Sequence, residues 1–161
     1  MFYDLQKINK THPLFNALEQ CRGIHQAPEH HPEGDIFTHS VQVLWWAFKE
    51  STDIDLIFAA MLHDVGKRID SKGHEKYSVK FVDGYISEKT EWLILNHMRF
   101  WYFVLGDMKK RSKVESIAGH KWLPELALLA RWDKLGRNPN KRIEYDRLDV
   151  IHRLRQIADG Y

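Results

Sequence analysis

The chain has 161 residues, about the length of one domain, and carries 24 Lys and Arg against 22 Asp and Glu, a formal net charge of +2. Hydrophobic residues make up 43% of it and charged residues 29%, which excludes an intrinsically disordered or collagen-like chain. Such balanced charge does not by itself indicate a nucleic-acid or membrane binder, so that role would need a local patch. We expect one domain over residues 1–161.

The sequence gives no sign of a membrane span or a secretory signal. The longest stretch without a charged residue is Ile36–Phe48, shorter than the roughly 18 to 20 apolar residues that a membrane helix needs. The first residues, MFYDLQKINK, lack an apolar segment followed by a small-residue cleavage site. Cys21 is the only cysteine and cannot form an internal disulfide. We therefore expect a cytoplasmic protein without a membrane partner.

The first two predicted helices are strongly apolar. Helix Phe37–Lys49 follows an irregular segment and is apolar on nearly all sides, which predicts a helix in the middle of a bundle, capped by Asp35 or Thr38. Helix Ile54–Val65 has apolar residues at i, i+3, i+4, i+7, i+8 and i+11, and we expect Gly66 to end it.

The rest of the chain also favours helices. We predict them at Lys76–Ile86, Glu88–His97, Pro124–Leu135 and Arg142–Ala158, with Gly136 as a stop signal. Loops are expected at Gly23–Asp35, Asp70–Gly73 and Gly106–Lys113. The segment Phe100–Leu105 could be a strand or a helix, and no alternating pattern beside a hairpin turn occurs. We predict an all-α fold, a single-domain helical bundle.

Polar side chains occur on apolar helix faces, where a core should lie. His39, Asp64, His97 and Asp133 each have apolar neighbours three, four or seven positions away. Burying a carboxylate without a partner costs several kcal/mol, so the two aspartates need partners. Imidazoles and carboxylates from different helices form a typical ligand set for a divalent metal such as Zn, Fe or Mn. An internal hydrogen-bonded network without metal is the alternative.

The adjacent pair His63-Asp64 restricts where such an ion could lie. Consecutive helical residues point about 100° apart, so both can reach one ion only near a helix edge, between neighbouring helices. We expect His39 from the preceding helix and Asp133 from a later helix to complete the site.

The ordered set His39, His63-Asp64 and Asp133 resembles the signature of the HD-domain metal-dependent phosphohydrolase superfamily. Five blocks are similar to the HD domains appended to bacterial CCA-adding tRNA nucleotidyltransferases: HPEGDIFTHS, AAMLHDVGK, GHEKYS, NHMR and ARWDKLGR. We expect no nucleotidyltransferase head domain in this protein, and therefore do not expect it to add CCA. The resemblance implies an all-helical fold and hydrolysis of a phosphate ester or anhydride of a nucleotide or nucleic-acid end.

The resemblance also implies roles for individual residues. His39, His63, Asp64 and Asp133 match metal-ligand positions. His97 and His120 have the order of ligands to a second ion, and His74 is a third candidate. The cofactor would be one or two divalent transition-metal ions, Mn, Co, Zn, Fe or Ni. Such an ion lowers the pKa of bound water from about 15.7 towards about 7.

We expect Asp64, Lys67 and His97 to be catalytic, with Lys67 matching a lysine near substrate phosphate in some subgroups. His97 or His74 could protonate the leaving oxygen, and Arg137 could hold the phosphate with its planar guanidinium. The predicted substrate contacts are Lys67, His74, Arg137 and His31.

Two other functions stay open from the sequence: a di-iron oxygenase of HD fold, and a non-catalytic nucleotide- or RNA-binding module. The aromatic run Trp101–Phe103 and the basic run Lys109–Lys113 could hold a nucleic acid, although core packing and a solvated loop are the more ordinary interpretations. Trp45 and Trp46 are expected in the core. An oligomer is compatible with the sequence.

Overall fold

The computed structural model describes residues 2–141 and 143–160. These residues form eight α-helices and one 3-10 helix, Val65–Arg68, joined by loops. The α-helices are α1 Pro13–Glu19, α2 Ile36–Glu50, α3 Ile54–Leu62, α4 His74–Phe81, α5 Glu88–Val104, α6 Arg111–Ala118, α7 Leu123–Leu135 and α8 Arg147–Ala158. This part of the chain contains no strand, only an isolated backbone bridge between His25 and Asp35. The predicted all-α class is confirmed.

Four helices form the centre of the bundle. Helix α3 packs against α2 and α5, and α7 packs against α5 and α2. Their facing sides are apolar and fully buried, as at Phe58, Leu93 and Trp132. Each such side chain contributes roughly 1.5–3 kcal/mol of burial free energy, so this packing holds the four helices in fixed relative positions.

Side-chain caps begin several of these helices. Asp35 accepts a hydrogen bond from the Thr38 backbone N–H at 2.7 Å, which makes Asp35 the cap of α2 as predicted. Gly136 ends α7 as predicted, and a Cβ there would lie 2.6 Å from a methyl carbon of Val43 on α2. The missing side chain therefore lets the end of α7 approach α2 closely.

The predicted end of the second helix was wrong. Helix α3 ends at Leu62, and Gly66 lies inside the following 3-10 helix instead of stopping α3. A Cβ on Gly66 would lie 2.1 Å from the His74 carbonyl oxygen and 2.4 Å from the Ser78 backbone nitrogen. This glycine is required because α4 packs directly on the 3-10 helix.

Other helix boundaries also differ from the prediction. Helix α4 ends at Phe81 instead of Ile86, because Gly84 has a left-handed φ of 82° and turns the chain. Helix α5 extends to Val104 and takes most of the strand-like segment Phe100–Leu105 into the helix. It stops before Gly106, which has a φ of 73°.

Two short helices, α1 and α6, were not predicted. Helix α6 begins at Arg111, inside the predicted loop Gly106–Lys113. Helix α8 begins at Arg147, later than predicted, and the predicted start, Arg142, lies outside the described residues. Within residues 2–141 and 143–160, no helix combines the length and the apolar character needed to cross a membrane.

Candidate metal centre

Four side chains from three separate parts of the chain meet in the middle of the bundle. His39 comes from α2, Asp133 comes from α7, and His63 and Asp64 occupy the turn between α3 and the 3-10 helix. All four are buried, and one ligand atom from each lies within 4.8 Å of those of the other three. We call these residues the first cluster.

The distances in the first cluster are short. The Nε2 atom of His39 lies 2.9 Å from Asp133 Oδ1 and 3.3 Å from Asp64 Oδ2. The Nε2 atom of His63 lies 3.4 Å from Asp64 Oδ2 and 3.5 Å from Asp133 Oδ1. Two imidazole nitrogens and two carboxylate oxygens therefore face one common point, a ligand set suited to transition metals.

A second cluster consists of Asp64, His74 and His97, all buried. Asp64 Oδ1 lies 3.0 Å from His74 Nε2 and 3.5 Å from His97 Nε2, and the two Nε2 atoms are 3.0 Å apart. Because Asp64 turns Oδ2 to the first cluster and Oδ1 to the second, its carboxylate joins them.

Every histidine of the two clusters has its Nδ1 atom bound to a backbone carbonyl. The acceptors are Gly136 for His39 at 2.9 Å, Ala60 for His63 at 2.9 Å, Ser71 for His74 at 2.9 Å and Ile94 for His97 at 2.6 Å. A carbonyl oxygen only accepts, so each Nδ1 must carry the proton. In the neutral ring the Nε2 lone pair then points into the cluster, as in histidines that bind metals.

This arrangement fits a divalent cation. His63 Nε2 is buried and makes no well-aligned hydrogen bond, and Asp64 Oδ2 is contacted most closely by Lys67 Nζ, at 3.1 Å on the cavity side. The facing Nε2 atoms of His74 and His97 cannot donate to each other while both rings are neutral. While the imidazoles are neutral, no proton lies between these converging lone pairs, and a cation bound among them would satisfy all of these atoms at once.

The electrostatics of the cluster keep both carboxylates ionised. Burial opposes the charge, but His63 and Lys67 hold the pKa of Asp64 well below its usual range, and hydrogen bonds from His39 and His63 do the same for Asp133. Burial would lower the pKa of His63, yet the negative charge of Asp64 together with Asp133 raises it to about 10. Without a metal, a proton on His63 is thus the competing cation.

A third carboxylate, Glu33, lies behind His39. Its Oε1 is 2.8 Å from His31 Nδ1 and 3.1 Å from His39 Nδ1, and its side chain is fully buried. Burial would raise the pKa of Glu33, but the hydrogen bonds from both histidines lower it to about 2. An ionised carboxylate behind a ligand histidine orients the ring and makes it more basic. Glu33 lies in an irregular segment, so no helical pattern signalled this position.

The clusters border a cavity of about 450 Å³ that also exposes the predicted substrate contacts. Lys67, His74, Arg137 and His31 all line it, together with Asp64 and Asp133. Lys67 Nζ lies 3.1 Å from Asp64 Oδ2 and 2.9 Å from Gln26 Oε1, and the Arg137 guanidinium reaches within 3.6 Å of Asp133 Oδ1. Two cationic side chains therefore stand beside the carboxylates at the cavity wall.

The structure does not bring His120 to either cluster. Its ring stacks on Trp92 with centroids 3.8 Å apart, and its Nδ1 accepts a hydrogen bond from the Trp122 backbone N–H at 3.1 Å. The prediction of His120 as a second-metal ligand is therefore corrected. His74, predicted as a substrate contact, is the residue that stands beside His97.

Comparison with known proteins agrees with this geometry. Residues 36–138 match the family described as HD domain, which is more than half of the chain and includes His39 and Asp133. The chain belongs to the HD domain family. The resemblance found in the sequence is thereby confirmed.

This HD domain is also similar to part of several bacterial proteins named Multifunctional CCA protein. It is 32% identical to that of Nitrosospira multiformis over 91 residues, 38% identical to that of Thioalkalivibrio sulfidiphilus over 76 residues, and 37% identical to that of Pasteurella multocida over 90 residues. These matches cover 52%, 43% and 48% of this chain but only 22%, 19% and 21% of the respective relatives. The chain thus spans about a fifth of the length of these relatives.

Proposed function

We propose that this HD domain is a metal-dependent phosphohydrolase that cleaves a phosphate ester or anhydride of a nucleotide or nucleic-acid end. The observation that carries the proposal is the pair of buried clusters joined by Asp64, whose inward-facing Nε2 atoms and carboxylate oxygens meet beside a cavity lined by Lys67 and Arg137. Metal-assisted phosphate hydrolysis uses side chains that hold the metal ion and cationic side chains that bind the phosphate. Here both kinds of side chain border one cavity.

The donor set of nitrogen and carboxylate oxygen suits Mn, Co, Zn, Fe or Ni. The first cluster, His39, His63, Asp64 and Asp133, would hold one ion, and Asp64 with His74 and His97 would hold a second. An ion held by these residues would supply Lewis acidity towards a phosphoryl oxygen and a water of near-neutral pKa.

Residues of the chain would bind and orient the phosphate. Lys67 is held by Asp64 and Gln26, and its side chain is only 14% exposed at the cavity wall. Arg137 donates to the His30 carbonyl at 3.2 Å and to the Asp133 carbonyl at 3.3 Å, which fixes its guanidinium beside the cavity. These two cations would neutralise the negative charge that develops on the phosphoryl oxygens.

While a second ion is held by the Nε2 atoms of His74 and His97, neither histidine has a proton on that atom, so neither would protonate the leaving oxygen. His74 borders the cavity, whereas His97 is 1% exposed and is not part of the cavity wall. Burial lowers the pKa of His97, and the nearby charge of His63 lowers it further, so its Nε2 stays available as a metal ligand. His97 would thus act by holding the second ion.

The test is hydrolysis by metal-free protein to which each of the five metals is returned separately. The substrates are nucleoside monophosphates, dNTPs, cyclic nucleotides and dinucleoside polyphosphates, and release of phosphate, pyrophosphate or triphosphate shows which bond is cut. Asp64→Ala and His63→Ala should reduce turnover to background in a folded protein, and His120→Ala serves as the matched control. Full activity in either cluster variant contradicts the proposal.

A second candidate function is oxygen chemistry at two irons. The two clusters together contain six His and Asp residues, enough for a di-iron centre. Oxygen consumption with Fe²⁺, and no phosphate release with any metal, would favour it. Tight nucleotide or RNA binding without any turnover would instead favour a non-catalytic module. Cytoplasmic location and oligomeric state stay predictions.

A further inference from the structure

A cleft of about 500 Å³ lies between α2 and the segment that leads into α8, away from the metal clusters. Trp45, Trp46 and Phe48 line it from α2, Lys141 and Arg153 border it from the later segments, and Lys49 completes the basic side. Both tryptophans are only partly buried, so their predicted place in the core was wrong. The cleft uses no residue of the two clusters.

Cations stand over the aromatic rings of this cleft. The Arg153 guanidinium carbon lies 4.0 Å from the centre of the Trp45 ring system and 5.7 Å from that of Phe48. Lys49 Nζ and Lys141 Nζ lie 4.8 Å and 5.8 Å from the centre of the Trp46 rings. The Trp45 and Trp46 rings are thus accessible to charged groups at cation–π distance.

These three cations are not neutralised by neighbouring acids. In the described part of the chain, no carboxylate lies within 4 Å of the side-chain nitrogens of Lys49, Lys141 or Arg153. Glu144 is the one acidic residue among the described residues that line the cleft. Arg131 is different, since its guanidinium pairs with Glu50 at 3.1 Å. The cleft thus keeps a positive excess beside its rings.

The segment that carries Lys141 is held in place. The Gln42 side-chain amide donates to the carbonyls of Asn138 and Lys141 at 2.9 Å and 3.1 Å, and its oxygen accepts from the Asn138 N–H at 3.0 Å. Lys141 therefore has a fixed backbone position opposite α2. Trp46 lies seven residues after His39, about 10 Å further along the helix axis, so a ligand in the cleft would not touch the first cluster.

We propose that this cleft binds a single-stranded nucleic acid, with bases stacked on Trp45 and Trp46 and phosphates held by Lys49, Lys141 and Arg153. Aromatic faces interleaved with unpaired cations are the recognition chemistry of single strands, because every base has a stacking face and every linkage a negative charge. The volume is large enough for a nucleotide. An acidic peptide would match the cations but would bring no base to stack on the two indole rings.

The experiment is a fluorescence anisotropy titration of the full chain with labelled oligouridylate and oligothymidylate of about eight nucleotides. The variant Lys49→Glu/Arg153→Glu changes exposed charges of the cleft. Its matched control, Lys109→Glu/Lys110→Glu, makes the same charge change at the basic surface before α6. We expect the cleft variant to raise the Kd at least tenfold and the control to change it less than twofold.

Two further measurements separate stacking from charge alone. The logarithm of the association constant falls linearly with the logarithm of the salt concentration, and loss of each phosphate contact should make this slope shallower by about 0.7. Trp46→Leu should weaken binding by roughly 5- to 150-fold while Trp46→Phe retains most of it, since a base stacks on phenylalanine but not on leucine. Circular dichroism confirms that each variant is folded. Equal affinity for oligouridylate and oligothymidylate would indicate that the cleft recognises bases and phosphates. Higher affinity for the RNA would indicate an additional contact to the 2′-hydroxyl.

Several results would overturn the proposal. Inorganic polyphosphate that competes as well as the oligonucleotides would show a charge effect without base stacking. If only the control variant lost binding, the nucleic-acid site would lie at the surface before α6 and not in the cleft. A dimer that the cleft variant converts to a monomer in sedimentation would show that a second copy of the chain covers the cleft. The titration is run on metal-free protein, so that binding in the cleft is measured without hydrolysis and failure of the hydrolase proposal is distinguishable from failure of this one.

Discussion

Replacing Gly66 by alanine should separate the second cluster from the first. The new Cβ would lie 2.1 Å from the His74 carbonyl oxygen and 2.4 Å from the Ser78 backbone nitrogen. Both neighbours are backbone atoms, so no rotamer change relieves the overlap, and α4 must move by roughly 1 Å to restore ordinary contact. The first cluster has no residue on α4, whereas His74 belongs to the second cluster.

The expected cost combines two effects. Overpacking of a tight contact typically costs about 1–3 kcal/mol. The shift also weakens the hydrogen bond from the Gly66 N–H to Ser78 Oγ, 2.8 Å long, which is worth about 1 kcal/mol. We therefore expect the free energy of unfolding to fall by about 2–4 kcal/mol. The 3.0 Å approach of His74 Nε2 to Asp64 Oδ1 should also be lost.

Urea unfolding and the number of bound metal ions measure these two effects. Gly66→Ala should bind one ion fewer per chain than the wild type and be less stable. Gly119→Ala is the matched control, because the nearest atom to its added Cβ is 3.7 Å away. An unchanged free energy of unfolding in Gly66→Ala, or loss of both ions together from a folded protein, would refute the reasoning.

Three further predictions concern a cap, the second cluster and the core. Burial opposes ionisation of Asp35, but its hydrogen bonds lower its pKa below 3.8. The ionised Asp35 cap therefore stabilises the fold at neutral pH, and this stabilisation is lost as the pH falls through the folded-state pKa. Asp35→Ala should cost about 1–2 kcal/mol at pH 7 in urea titrations, and this difference should shrink as the pH is lowered below 3.8; a pH-independent difference would contradict this. Elemental analysis should find one metal ion fewer per chain in His97→Ala than in His120→Ala. Equal loss in both variants would show that His120 is a metal ligand after all. Trp132→Ala should lower the free energy of unfolding by about 3–5 kcal/mol, measured by urea unfolding, and a loss below 1 kcal/mol would show that Trp132 is not a core residue.

The central helices could be predicted from the sequence because they are apolar on wide faces. Helices α2, α3, α5 and α7 carry long periodic runs, whereas α1 and α6 have only 7 and 8 residues and too few turns for a clear period. The run Phe100–Val104 shows the limit of local propensity. Its aromatic residues favour a strand, yet continuation of α5 makes them helical.

The first cluster could also be predicted, because His39, Asp64 and Asp133 are polar residues on otherwise apolar faces. The residue that joins His97 in the second cluster could not be predicted. Sequence order left His74 and His120 as alternatives, and the choice depends on how α4 packs on the 3-10 helix at Gly66. Such packing is a tertiary property without a local signal.

Anomalous diffraction from crystals grown with Mn²⁺ tests the metal centre most directly. We expect one peak bounded by His39, His63 and Asp133, and a second bounded by His74 and His97, with Asp64 between them. A map without a peak at either cluster, with the carboxylates bonded only to protonated imidazoles, would contradict a metal centre and leave the HD fold without its proposed chemistry.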